Sequence, residues 1–136
     1  MITARCLCEG VRLRATGTFG PGVICHCSQC RRASGSAFAC NAPIPSESVE
    51  FEAGRDLIRE FESSPGEFRA FCSRCGSPIY SRLVSNPDVY RLRLGIVDGD
   101  PGFRPLGHVW VGSKAPWFTI TDSLPQFEAA PPRQLP

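Results

Sequence analysis

The chain has 136 residues, 42% hydrophobic and 21% charged, which fits one soluble globular domain and excludes a disordered chain. No apolar run approaches the ~18 residues of a membrane-crossing helix. The net charge is only +2 and the arginines are spread along the chain, so no concentrated basic face is offered to nucleic acid or a membrane surface. In chain order, residues 1–9 lack the apolar core of a secretory signal, so a cytoplasmic location is expected. Residues 11–16, Val-Arg-Leu-Arg-Ala-Thr, alternate apolar and polar as a half-buried strand does. Gly20-Pro21-Gly22 reads as a turn. Residues 28–34 read as a short helix, with Ser28 as N-cap and Gly35 just past its end. Residues 60–62, 69–71 and 90–94 again show a period of two, and residues 109–111 and 118–121 have strand composition. Ser64-Pro65-Gly66, Asn86-Pro87 and Asp100-Pro101-Gly102 punctuate them as turns. The fold class is therefore all-β, with one or two short helical turns. Turn chemistry accounts for the 13 glycines and 13 prolines.

The 8 cysteines fall into hooks: Cys6-x-Cys8, Cys25-x-Cys27-x-x-Cys30, a lone Cys40 and Cys72-x-x-Cys75. A disulfide framework is disfavoured, because no export signal is seen and the chain is long enough to fold without cross-links. Thioredoxin-like chemistry needs a helix after Cys72, and Gly76-Ser77-Pro78 breaks one at once. Zinc remains, since thiolate hooks suit its tetrahedral preference. Gly76 would let the Cys72–Cys75 knuckle turn through positive φ. Seven hook cysteines divide as four plus three: one closed structural site, and one with an open fourth position, which marks a catalytic or ligand-binding zinc. Spacing alone does not fix which hooks pair. Cys25, Cys27 and Cys30 are compact enough to hold one ion, which leaves Cys6, Cys8, Cys72 and Cys75 for the closed site.

These motifs occur together with others in a definite order: Gly10-Val11-Arg12, then residues 25–32 (Cys-His-Cys-Ser-Gln-Cys-Arg-Arg), then Ser63-Ser64-Pro65-Gly66 and residues 71–77 (Phe-Cys-Ser-Arg-Cys-Gly-Ser). His108-Val109-Trp110-Val111 and Ala115-Pro116-Trp117 follow. The set resembles the glutathione-dependent formaldehyde-activating enzyme family, which is grouped with centromere protein V. The resemblance spans residues 3–127, a single zinc-binding domain, and leaves 128–136 as a flexible Pro-rich tail. It implies an Mss4-like zinc-bound β fold of curved antiparallel sheets. It implies two zinc ions per chain, a structural one on Cys6, Cys8, Cys72 and Cys75 and an open one on Cys25, Cys27 and Cys30. The implied activity is of the carbon–sulfur lyase type, forming or cleaving S-hydroxymethylglutathione or a related thiol adduct, with a glutathione-like thiol and an aldehyde as partners. The competing reading is a non-catalytic, zinc-stabilised binding module or thiol carrier. An open three-cysteine site, which a scaffold does not need, stands against it.

Beside the hooks, Arg31 and Arg32 are candidates to clamp glutathione carboxylates, against a solvated helix face. Trp117 is a candidate for lining a cleft, against core packing shared with Trp110. His26 should point away from the sulfurs of its neighbours and bond a nearby carbonyl. His108 should pack in a strand, and Cys40 should be a small buried hydrophobe.

Overall fold

The computed structural model describes residues 1–131. The strands are β1 (Ile2–Arg5), β2 (Arg12–Ala15), β3 (Val23–Cys25), β4 (Ala39–Pro45), β5 (Val49–Ala53), β6 (Ile58–Ser64), β7 (Glu67–Cys72), β8 (Pro78–Leu83), β9 (Asn86–Arg93) and β10 (Gly107–Val109). One α-helix, α1 (Ser28–Ser34), and four single 3₁₀ turns accompany them. The strands form a three-stranded sheet in the order β1-β2-β5 and a seven-stranded sheet in the order β10-β3-β4-β9-β8-β7-β6. The architecture is all-β. No helix among the described residues is long and apolar enough to cross a membrane.

Strand alternation gives the larger sheet two unlike faces. Ala42, Leu92, Tyr80 and Ala70 stand in register across β4, β9, β8 and β7, and all four are buried. Leu92, Tyr80 and Ala70 join Ala4, Leu13 and Ala15 of the smaller sheet in one core, with Val11, Ile44 and Ile79. Burying each large aliphatic side chain here contributes about 1.5–3 kcal/mol. One residue further along each strand, Pro43, Arg91, Ser81 and Arg69 form a second row, on the opposite face. That face carries the candidate site.

Several expected elements are placed differently. Asn86 and Pro87 begin β9 instead of forming a turn; the chain reverses at Val84 and Ser85, and Leu83 pairs with Asn86. Proline is tolerated at a strand's start, where the ladder needs no donor from it. Strand β10 stops at Val109 because Trp110 takes φ 57°, in the left-handed region, so residues 109–111 do not form one strand. Residues 118–121 carry no strand; the Phe118 amide instead closes a turn onto the Ala115 carbonyl at 3.2 Å. Strands β1, β3, β4, β5 and β8 went unread. The sheets are not wholly antiparallel either: β10 runs parallel to β3, which the long connection between them permits. Of the expected tail, residues 132–136 lie outside the described residues. The Glu128 and Ala129 carbonyls accept the Gly112 and Trp110 amides at 3.1 and 3.0 Å.

Candidate metal centres and the adjoining pocket

Cys6 and Cys8 lie in the turn from β1 to β2, Cys72 ends β7, and Cys75 lies in the turn from β7 to β8. The two turns meet, and all four sulfurs lie within 4.8 Å of one another. Cys8 Sγ is 3.5 Å from Cys6 Sγ and 3.8 Å from Cys72 Sγ. Gly76 takes φ 80°, which a side chain rarely adopts, and its amide closes the knuckle onto the Cys72 carbonyl at 2.7 Å. The Val11 amide donates to Cys6 Sγ at 3.2 Å, and Arg74 Nε donates to Cys8 Sγ at 3.2 Å. These donors stabilise thiolate. The Gly10 amide and then Arg74 hold Cys8 below its ordinary value. The Ser77 hydroxyl, 3.3 Å away, leads the effects that hold Cys75 down to about 5. Burial pushes Cys6 up to about 11. Four sulfurs converging at this spacing, part-buried and met by donors, fit a tetrahedral thiolate-bound ion.

The second cluster is local in sequence. Cys25 ends β3 and Cys30 lies in α1, with their sulfurs and that of Cys27 again within 4.8 Å of one another. The N-cap of α1 is Cys27 and not Ser28: its Sγ accepts the Cys30 amide at 3.2 Å. Gly35 ends the helix at φ 65°, its amide on the Arg31 carbonyl. Cys30 is held well below its ordinary value, first by Cys25, then by Cys27, with Arg69 adding its charge. Cys25 moves up correspondingly, through the same sulfur contacts. Three cysteines that share one proton network suit one cation better than three free thiols. Cys40, half-buried on β4, belongs to neither cluster; burial raises its thiol.

His26 does point away from the sulfurs, but it meets a ring and not a carbonyl. His26 Nε2 is 2.8 Å from His108 Nδ1, and His108 Nε2 is 3.0 Å from both Asp122 carboxylate oxygens. A carboxylate only accepts, so His108 Nε2 donates to Asp122 and its Nδ1 accepts from His26 Nε2–H. His26 Nδ1 is then a buried acceptor with no hydrogen-bond partner among the described residues. Burial, and then the neighbouring His108, lower the His26 pKa from its ordinary value. His108 is thus a polar link and not merely packing. The chain from Asp122 anchors the loop that carries Cys25 and Cys27.

A cavity of about 610 Å³ opens beside the three-cysteine cluster. Its floor is the second face of the large sheet: Cys25 on β3, Asn41 on β4, Arg91 and Arg93 on β9, and Arg69 on β7. Arg69 reaches Cys30 Sγ at 3.7 Å and Glu67 at 3.0 Å. Arg93 is 6% exposed and bonds Asn41 Oδ1 through Nη1. Trp110, the strained residue after β10, lines the wall and is 40% exposed, so it is not core. Arg31 and Arg32 sit on α1 just past Cys30 but do not line this cavity, and Trp117, 72% exposed, lies outside it. The arginines that do line it were unassigned by sequence reasoning. Their signal was the alternation Arg91-Leu92-Arg93, which puts both arginines opposite a core leucine.

Residues 1–113 match the family described as glutathione-dependent formaldehyde-activating enzyme. A curated protein of Podospora anserina, named as a glutathione-dependent formaldehyde-activating enzyme, is 26% identical over 92 residues. That match covers 66% of this chain but only 43% of the fungal protein, so the chain spans less than half of its relative. A crystal structure of a Rhodobacter sphaeroides protein shares the fold, with a TM-score of 0.62 and 24% identity. It is matched over 76% of this chain and 97% of its own.

Proposed function

The chain belongs to the glutathione-dependent formaldehyde-activating enzyme family, and on that premise we propose that it is a zinc-holding enzyme of the carbon–sulfur lyase type. It takes a thiol such as glutathione into the pocket beside Cys25, Cys27 and Cys30, and forms or cleaves an S-hydroxymethyl or related adduct. The observation that carries this reading is three sulfurs within 4.8 Å of one another on the wall of a cavity of about 610 Å³. A closed structural site needs four ligands and no cavity.

Cys6, Cys8, Cys72 and Cys75 would hold a structural zinc, and Cys25, Cys27 and Cys30 a second one. When bound there, zinc supplies an open position suited to a soft thiolate and lowers that thiol's pKa. The chain's own residues do the rest. Arg69 balances the charge on Cys30, and Asp122, through His108 and His26, fixes the loop that presents Cys25 and Cys27. The pocket holds the thiol beside the aldehyde carbon, and proximity converts a bimolecular encounter into a local one. In the addition the sulfur–carbon bond forms, the carbonyl π bond opens, and the thiol proton ends on the new hydroxyl. Cleavage is the reverse. The test is X-ray absorption at the zinc edge during a glutathione titration. An added sulfur in the second site's shell is expected; an unchanged shell overturns the proposal.

A further inference from the structure

The pocket floor carries more positive charge than its sulfurs require. Arg69 already serves as their counter-charge, at 3.7 Å from Cys30 Sγ. Arg91 plays no such part. Its Nη2 makes only a long ion pair with Glu67, at 3.5 Å, and its buried Nε and Nη2 have no hydrogen-bond partner among the described residues. Buried guanidinium donors without acceptors are uncommon, because each forfeits its hydration for nothing. Arg91 and Arg69 stand in one register row, separated only by Ser81 on β8. Neighbouring strands lie ~4.8 Å apart, so the two arginine Cα atoms are ~10 Å apart with a short side chain between them. Arg69, Ser81 and Arg91 all line the cavity. Arg93, two residues along β9 from Arg91, extends the row toward β3 and Cys25. Three guanidinium charges face one carboxylate, Glu67, and the single net negative charge of three thiolates on a divalent ion. One positive charge is left over.

We infer that Arg91, with Arg69 and Arg93, binds a carboxylate of the thiol substrate, so that the pocket selects small anionic thiols over neutral ones. The inference rests on the reading of the three-cysteine site as a thiol site, and it names the feature that site recognises. A carboxylate takes paired N–H bonds from a guanidinium fork, which a neutral amide cannot match in charge. Arg69, beside both the sulfurs and the row, sets the scale: the carboxylate sits one guanidinium width from the metal-binding sulfurs, within reach of a short mercapto acid. Glutathione, whose thiol and carboxylates share one flexible chain, meets the same requirement.

The test uses the full chain loaded with cobalt(II), whose thiolate charge-transfer bands report ligands at the second site. It is titrated with 3-mercaptopropionate and with its neutral isostere 3-mercaptopropionamide. The wild type should bind the acid at least tenfold more tightly than the amide. Arg91→Gln should reduce that preference to about twofold or less by weakening the acid alone, and Arg91→Lys should retain part of it. Unchanged melting and an unchanged spectrum before thiol addition verify that both variants fold. Equal binding of acid and amide by the wild type, or an undiminished preference in Arg91→Gln, overturns the inference. Succinate, followed by NMR in the same proteins, separates the two levels of the argument. If neither thiol perturbs the cobalt bands but succinate binds in an Arg91-dependent way, the thiol reading fails and the carboxylate site stands. If succinate also fails to bind, both fall.

Discussion

Replacing Cys72 and replacing Cys27 by serine should have opposite consequences, although each removes one thiolate from one cluster. Cys72 is fully buried and belongs to the main core. Its cluster joins the β1–β2 turn of the small sheet to the β7–β8 turn of the large one, with Cys8 and Cys72 separated by 64 positions. Pinning a loop of that length removes about 4 kcal/mol of chain entropy from the unfolded state, by the relation used for cross-links. The Cys25–Cys30 hook closes only a few residues, worth about 2 kcal/mol on the same relation, and its cluster sits at one margin of a sheet. Against a net stability of about 5–15 kcal/mol, the first loss is decisive and the second is not. Cys72→Ser also leaves a buried hydroxyl among the remaining sulfurs, which costs about 1–3 kcal/mol more. We therefore expect Cys72→Ser to lower the melting temperature by about 15 °C or more, or to unfold. Cys27→Ser should lower the melting temperature by no more than about 10 °C while retaining one metal equivalent per chain. Circular-dichroism melts with metal analysis on both proteins decide the matter. Equal melting of the two variants, or greater damage from Cys27→Ser, would refute the division between a closed and an open site.

Gly54→Ala should destabilise the fold by about 2 kcal/mol or more, because Gly54 sits at φ 78° and a Cβ there would lie 2.1 Å from the Gly10 carbonyl oxygen. A urea titration reads this directly, and a loss below about 0.5 kcal/mol would mean that the Gly10–Gly54 approach is not tight. Asp122→Asn should lower stability at neutral pH by weakening the link to His108. The Leu124 amide, then His108, hold the Asp122 carboxyl below its ordinary 3.8. Its contribution is therefore fully present above 3.8 and disappears only as pH falls through the lower folded value. The difference in melting temperature between wild type and variant should stay constant from pH 7 to 5 and shrink below pH 4; a difference growing toward acid would contradict the assignment.

The two cysteine clusters were legible because thiolate chemistry is written in short spacings. A Cys-x-Cys or Cys-x-x-Cys hook brings two sulfurs to one point whatever the fold, and seven hook cysteines divide only into a few sets. The all-β class was legible for a similar reason, since Arg69-Ala70-Phe71 and Arg91-Leu92-Arg93 alternate over a distance that only a strand serves. What periodicity does not say is which of the two faces is wet. The arginines of β7 and β9 look in sequence like the solvated side of a half-buried sheet, and Arg31 and Arg32, next to a hook, look better placed for a ligand. In the fold, Arg69, Arg91 and Arg93 line the cavity beside the cysteines and Arg31 and Arg32 do not. Only strand β4 lies between Cys25 on β3 and Arg93 on β9, yet they are 68 positions apart in sequence, and no local pattern encodes that register. The same holds for His26 and His108, which are 82 positions apart and touch only because β10 returns parallel to β3. Trp110 shows the other limit. It has strand composition between two valines, yet the chain turns there through the left-handed region and places the ring on the pocket wall. Such strain costs about 1–3 kcal/mol and persists only where surrounding contacts enforce it. The amides of Trp110, Val111 and Gly112, bonded to carbonyls of residues 127–129, supply those contacts. The pocket is thus walled by a segment whose conformation is dictated from the far end of the chain, which is why composition alone could assign its cysteines but not its arginines or its tryptophan.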